Sequence, residues 1–307
     1  MSRLWTERTK PKLRLRPSAT AGIAIGSDYV GFACVDTKKG RREVRLFEEK
    51  LGSRLFHGAP APQAAEALAK ALGRLAGSLA KRYLPVHVSL PDALVRWTVL
   101  ELEQLPASRA AQLALVAFRF ARQGLEGAQV HACQPLGPDG GKELVLGMAA
   151  HAGWHALVSE ALERAGIVAW SINANACRQF NLFHERLAGE SGALVALAPD
   201  AWGLWLWDAQ GRVRHARGRW RTGNDDHDEI ALEVERSILA YVHGDPARTV
   251  ARVFAAAGAE SAALARALDG RLREACVRLS IADLKFDIPA DQDPATAALS
   301  IAAALER

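Results

Sequence analysis

The chain has 307 residues, 50% hydrophobic and 24% charged, with a formal net charge of +5. This length suffices for one large or two modest domains with a real core, and the mix excludes extended disorder and collagen-like structure. The whole excess charge sits in residues 1–16, where Arg3, Arg8, Lys10, Lys12, Arg14 and Arg16 face only Glu7; the remaining 33 basic and 33 acidic residues cancel, so charge gives no argument for a nucleic-acid-binding body.

The leader lacks the apolar stretch of a secretory signal, and Pro11 and Pro17 break any helix. Lys12 to Arg16 alternates cation and leucine and suits a short edge strand or a solvated terminus. Residues 20–37 predict a strand, a tight Gly-Ser-Asp turn and a second strand, and residues 42–50 alternate as a third. Pro60 and Pro62 open an Ala/Leu-rich helix to about Tyr83, followed by a strand from Val86 to Leu90. Residues 92–150 predict an inserted α+β module. It has a strand from Leu94 to Leu102, a helix capped by Ser108 and running to about Gly124, and strands Gln129–Pro135 and Glu143–Ala149 joined by turn residues 137–141. That glycine-rich turn lacks the Lys-Ser/Thr and the following helix of a phosphate loop. A helix from Gly153 to Ala165, a strand from Val168 to Ile172 and a helix from Asn173 to Leu187 follow.

The first pattern then repeats. Strands are expected at Ala193–Ala198, Trp202–Asp208 and Arg212–Arg219, and a long helix at Asp225–Tyr241. A strand at Val250–Ala255, a helix at Ser261–Leu268, a strand at Val277–Leu284 and a final helix from Pro294 to Leu305 complete the chain. Two such copies predict an α/β chain with a duplicated actin-like (RNase H-like) two-domain fold, a cleft between the halves and the small module inserted in the first. The expected divisions are a basic leader at 1–18, a first half at 19–91 plus 151–188, the module at 92–150 and a second half at 189–307. No 18-residue apolar stretch is free of polar breaks, so no membrane-spanning helix is expected.

Several motifs resemble those of the PilM family of actin-like type IV pilus assembly proteins. Gly22-Ile23-Ala24-Ile25-Gly26-Ser27 sits where that family has Gly-Ile-Asp-Ile-Gly-Ser. Val88-Ser89-Leu90-Pro91 leads into the module, which contains Leu102-Glu103-Gln104-Leu105-Pro106. Glu233 to Tyr241 resembles a Glu-x-x-Arg-Ser-Leu-x-x-Tyr helix, and Ala297 to Leu305 resembles the terminal Ala-rich helix. The resemblance covers most of residues 20–307. MshI-like pilus proteins and the cytoplasmic domain of the secretion protein GspL share the plan; GspL continues into a membrane helix, which favours the other two.

The resemblance implies a cytoplasmic protein peripheral to the inner membrane, whose module and groove receive the short N-terminal peptide of a bitopic PilN-like partner, with an Asn-Leu-Leu-Pro-like core. By region, Val95, Trp97, Val99, Leu113, Ala117 and Phe120 are the candidate groove residues. Arg8, Lys10, Lys12, Arg14 and Arg16 are the candidate contacts to an anionic membrane surface, each contributing about 1 kcal/mol at best. No nucleic-acid partner is expected.

An actin-like ATPase needs carboxylates to organise Mg²⁺ and glycines that let backbone N–H groups approach phosphates. Here Ala24 replaces the first Asp, Ala196-Leu197-Ala198 stands where Asp-x-Gly is expected, and Phe254 to Gly258 lacks the Gly-Gly of an adenosine loop. A pseudo-ATPase without catalytic residues or cofactor is therefore expected. Gly26, Ser27 and Asp28 remain as a vestigial nucleotide site that a plain β-turn explains equally well. The alternative is an actin-like ATPase with atypical MgATP binding in the same machinery. A nuclease ranks last, because Ala24 removes the first carboxylate of a two-metal site.

Other constellations read as structural. His151 and His155 are spaced as metal ligands but have no third ligand, so capping or solvated histidines are expected. Asn224 to Glu229 reads as an acidic helix start. Trp202 faces opposite to Trp205 and Trp207, which suits core packing or, alternatively, a binding patch. Arg212, Arg214, Arg217, Arg219 and Arg221 read as an exposed stripe paired with nearby acids. Cys34, Cys133, Cys177 and Cys276 are too dispersed for a metal or disulfide framework.

Overall fold

A computed structural model describes residues 19–38, 41–52, 54–56, 59–77, 84–124, 127–223, 226–284, 286 and 294–305. The basic leader, including Arg8, Lys10, Lys12, Arg14 and Arg16, therefore lies outside the described residues, as does the expected end of the first helix at Tyr83.

The first sheet has strands β1 (Ala19–Ile25), β2 (Tyr29–Lys38), β3 (Arg41–Lys50), β4 (Val86–Leu90) and β8 (Ala169–Ala174), in the order β3-β2-β1-β4-β8. β1, β2 and β3 are antiparallel, with Ile25 opposite Val30, and β4 and β8 run parallel to β1. The second sheet repeats this. Strands β9 (Gly192–Leu197), β10 (Ala201–Trp207), β11 (Val213–Trp220), β12 (Arg252–Ala256) and β13 (Cys276–Leu279) take the order β11-β10-β9-β12-β13 with the same directions. The duplication expected from the sequence is thus present strand for strand. The module forms a third sheet, β5-β7-β6, from β5 (Val95–Leu102), β6 (Gln129–Asp139) and β7 (Lys142–His151).

Helices α1 (Pro62–Gly77) and α3 (Ala152–Arg164) pack together beside the first sheet, and α6 (His227–His243) and α7 (Ser261–Asp269) cover the second. Two further helices are exchanged between the halves. Helix α4 (Asn175–Leu182) follows the last strand of the first sheet but packs on β9 and β10, while α8 (Pro294–Ala304) follows the last strand of the second sheet and packs on β1 and β2. Glycines at matching points permit this. A Cβ at Gly31 in β2 would strike Thr296 and Ser300 of α8, and one at Gly203 in β10 would strike Ala176 of α4. The chain stretch 189–307 therefore ends on the sheet of the other half.

Strands covered on both sides read as continuous apolar runs. Every residue of β9 and β10 is buried. Trp202 joins the core under α6 and α7, whereas Trp205 and Trp207 face the opposite way into the large core that joins the halves, in ring contact with Phe180 of α4. The three tryptophans are core residues and form no exposed patch.

Four local expectations are corrected. The module hairpin turns on Gly140 and Gly141 alone, with φ of 56° and 84°, a conformation that favours glycine; residues 137–139 continue β6 after a register shift. The expected helix from Asn173 to Leu187 is two, α4 and α5 (His184–Leu187), divided at Phe183. The strand at Val277 ends at Leu279 and gives way to a 3-10 turn at Ile281–Leu284. The helix expected from Asp225 begins at His227, with Asn224 and Asp225 outside the described residues.

Candidate functional site

The turns that would cradle a nucleotide face each other between the halves. The first, Gly26 to Asp28, closes through the Gly26 N–H donating to the Tyr29 carbonyl at 2.9 Å. A Cβ at Gly26 would run into the Tyr29 ring, so glycine is required here by the tyrosine. The matching turn of the second half, Ala198 to Asp200, closes through the Ala198 N–H donating to the Ala201 carbonyl at 2.8 Å. The two turns are bonded directly: the Ser27 backbone N–H donates to Asp200 Oδ2 at 2.5 Å. The amide that a phosphate oxygen would use already holds an internal carboxylate. Burial pushes the Asp200 carboxyl above its ordinary range, partly offset by the bonds from Ser27.

Beside this bond lies a small apolar cluster of Ala24, Tyr29, Ala198 and Leu299, one or two residues from each turn and one from α8. Ala24 and Ala198 are the positions where the resemblance leads one to expect carboxylate and glycine. Gly22, part of the same loop motif, serves another purpose: a Cβ there would collide with the backbone of Ser300 and Ala304 in α8. The groups that would meet a phosphate or a Mg²⁺ shell are thus methyls, a ring and an engaged amide.

The second half's side of the cleft is held by an ionic cluster. Arg221, at the end of β11, has a side chain only 3% exposed. It bonds Asp226 Oδ1 at 2.9 Å, both oxygens of Glu260 at 2.9 Å and the Ala198 carbonyl at 3.3 Å. His227 Nε2 lies 2.9 Å from Glu260 Oε2. One guanidinium therefore ties the second turn, the start of α6 and the 3-10 turn Gly258–Glu260 together. Asp226 stands before α6 and bonds Arg221 and the Thr222 N–H with no side-chain cap bond, while Asp228 and Glu229 fill the first turn, as an acidic helix start requires. The other arginines are paired too. Arg212 and Arg214 join Asp208 to Asp139 at the module hairpin, Arg217 bonds Glu233 and Ser237, and Arg219 lies 3.5 Å from Glu233. Among the described residues only Arg221 pairs with the neighbouring acidic tract, through Asp226; the others find acids elsewhere, and Arg221 and Arg214 are largely buried rather than part of an exposed stripe.

A polar knot at the junction of module and halves was invisible in the motifs. Asp92, in the 3-10 turn Asp92–Leu94, is fully buried, and both its oxygens accept from the Ala176 N–H at 3.0 and 3.1 Å. It caps α4 in place of Ala174, which has no side chain to do so. A Cβ at Gly203 or Gly218 would strike Asp92, so the second half presses its backbone on this carboxyl. Burial, helped by the nearby Asp200 charge, raises Asp92 to a pKa of about 7. Next to it, Ser89 donates to Asn175 Oδ1 at 2.5 Å, and the buried Arg178 donates to the Val88 carbonyl and Ser171 Oγ. Asp92 follows Leu90-Pro91 and Asp200 follows Pro199, a local pattern that signals a turn and nothing of a buried contact.

The candidate groove residues do not share one groove. The small sheet is a wall with two sides. Val95, Trp97 and Val99 face the body, where Trp97 meets Trp205 edge to face at 5.1 Å. Leu113 and Phe120, on helix α2 (Arg109–Ala121), pack against the opposite side in the module's own core. Alternation puts Val95, Trp97 and Val99 on one face of β5, and α2 packs on the other, with Leu100 and Leu102. His151 caps α3, accepting from the Gly153 N–H at 3.1 Å.

No family model matches the chain. No curated protein matches it either. Solved structures do. The chain resembles the PilM–PilN type IV pilus biogenesis complex with a TM-score of 0.74 at 16% identity, over 93% of this chain and 97% of that one. The chain has the actin-like fold. A Bacteroides thetaiotaomicron protein with an actin-like ATPase fold and unknown function matches with a TM-score of 0.54 at 12% identity, covering 85% of this chain and 91% of that one. The ethanolamine utilization protein EutJ from Carboxydothermus hydrogenoformans matches with 0.53 at 10%, over 95% and 90%. The expected resemblance thus holds for nearly the whole chain. Among the described residues, no helix is long and apolar enough to cross a membrane.

Proposed function

We propose that this chain is a non-catalytic actin-like scaffold of a type IV pilus or related secretion platform, working at the inner face of the cytoplasmic membrane. The observation that carries the non-catalytic part is the occupied cleft: Ser27 N–H is held by Asp200, and Ala24, Tyr29, Ala198 and Leu299 fill the space beside it. Cleft, exchanged helices and aromatic core make the halves one body, which suits a protein whose task is to hold a partner.

The partner in this reading is the cytoplasmic N-terminal peptide of a bitopic PilN-like protein; the likeness to a PilM–PilN complex over most of both chains supports it. Its seat is the margin of the seam between module and body, where Trp97, Val99, Val130 and Leu136 pack on the core yet stay partly exposed. Calorimetric titration of the full chain with the N-terminal peptide of a bitopic protein encoded beside it tests this. Saturable binding, weakened at least about tenfold by Val99→Asp, is expected. Absence of binding would remove the partner half of the reading and leave the cleft half standing.

A further inference from the structure

Helix α2 is apolar on both sides. Its inner face, Val116 and Phe120, covers the module sheet. Its exposed positions are Ala110, Ala111, Ala114, Leu115, Phe118 and Ala121 together with Arg109 and Arg119, with Phe118 62% and Leu115 36% exposed. The other surface helices do not look like this. The exposed positions of α1 include Gln63, Glu66, Lys70 and Arg74, and those of α3 include Glu160, Glu163 and Arg164. An outer helix face that is mostly apolar is ordinarily covered.

What covers it is limited by charge. Helix α2 carries no carboxylate, and Arg119 and Arg122 flank the apolar stripe with no ion pair among the described residues; Arg122 lies over the Phe118 ring at 5.8 Å. The chain's own leader has five net positive charges and would be repelled. A second copy placed face to face would set Arg119 and Arg122 against their own counterparts. The helix packs chiefly on β6 and β7, so it stands as a ridge rather than the wall of a peptide groove.

We infer that the outer face of α2 is a membrane-contact surface that inserts Phe118 and Leu115 into the interfacial layer of an anionic bilayer, with Arg119 and Arg122 on its phosphates. An apolar stripe bordered by cations is the pattern of an interfacial helix, and long cationic side chains reach the headgroups while their stems stay apolar. This surface lies on the module side away from the body and is separate from both cleft and seam.

The test uses the full chain with Cys276→Ser and an environment-sensitive nitrobenzoxadiazole probe on Ala114→Cys. Phosphatidylglycerol-containing vesicles are expected to shift its emission to the blue, and pure phosphatidylcholine vesicles are not. The same probe on Glu160→Cys of α3 should stay unchanged. Phe118→Asp, and separately Arg119→Glu with Arg122→Glu, should each abolish the shift; two cations at a surface correspond to at least about a tenfold loss of partitioning. All three positions are exposed, so unchanged circular dichroism melts are expected. Vesicle-bound protein without a shift at 114 would mean that the leader alone tethers it, and would overturn the inference. So would no vesicle binding, a lipid-free shift that grows with protein concentration, or a shift produced by an acidic peptide instead of lipid.

Discussion

Ser27 and Asp200 are bonded across the cleft, backbone N–H to carboxylate, at 2.5 Å. They occupy matching turns of the two duplicated sheets, so the bond joins the halves where a nucleotide's phosphates would otherwise separate them. Asp200→Ala leaves the partly buried Ser27 N–H without its acceptor. The bond is partly buried, so the change should lower the unfolding free energy by about 0.5–1.5 kcal/mol in urea denaturation, without creating nucleotide affinity, because Tyr29 and Leu299 still fill the neighbouring space. An unchanged urea midpoint would show that the bond is solvated rather than structural.

The glycines make a paired prediction. Gly22 has the backbone of α8 where a Cβ would go, whereas Gly73 in α1 has open space. Gly22→Ala should destabilise the protein by about 1–3 kcal/mol through overpacking. Gly73→Ala should stabilise it by about 0.5–1 kcal/mol through helix propensity. Equal effects of the two changes would contradict the close approach of α8 to β1.

Asp92 gives a pH signature. Its carboxyl titrates at about 7 in the folded chain against an ordinary 3.8. Between those values the native state keeps a proton that the unfolded chain has lost, so this group's contribution to stability is fullest below pH 4 and declines as pH rises to 7. Asp92→Asn still accepts from Ala176 and removes that decline. Relative to the parent, the variant should gain about 1–3 kcal/mol between pH 5 and pH 8 in denaturant titrations. Taking the difference cancels the buried histidines, whose lowered values give the opposite slope. Parallel pH profiles for the two proteins would rule out a buried titrating Asp92.

Arg221 separates a buried ionic cluster from a surface one. Arg221→Ala strands Asp226, whose side chain is 4% exposed, and should cost about 3–5 kcal/mol by loss of its partner. Arg164→Ala removes an exposed i,i+4 pair with Glu160 and should cost less than about 0.5 kcal/mol. Similar thermal midpoints for the two variants would mean that Arg221 is more hydrated than its burial implies.

The strands were legible because alternation and apolar runs record which faces are covered, and the repeat of three strands, helix and strand recorded the duplication. That Ala24 and Ala198 carry methyls where the resemblance leads one to expect a carboxylate and a glycine was also legible. The residues packed beside them were not. Tyr29 and Leu299 are 270 residues apart in sequence, and nothing local marks a leucine of the last helix as a neighbour of the first turn. The exchange of α4 and α8 between sheets is likewise a property of the assembled chain; its trace is Gly31 and Gly203 at the same point of β2 and β10, which reads as ordinary β-strand glycine until the helices are placed. The groove assignment mixed both faces of a thin sheet, because region alone cannot separate them.

A cleft filled from within, as proposed for this chain, leaves no room for a nucleotide. The most direct measurement is the thermal midpoint of the full chain with increasing MgATP. A ligand at 100 times its dissociation constant would add about 2.7 kcal/mol to stability. The midpoint is expected to stay flat up to millimolar MgATP. A saturable rise, lost when MgATP is replaced by Mg²⁺ alone, would contradict it.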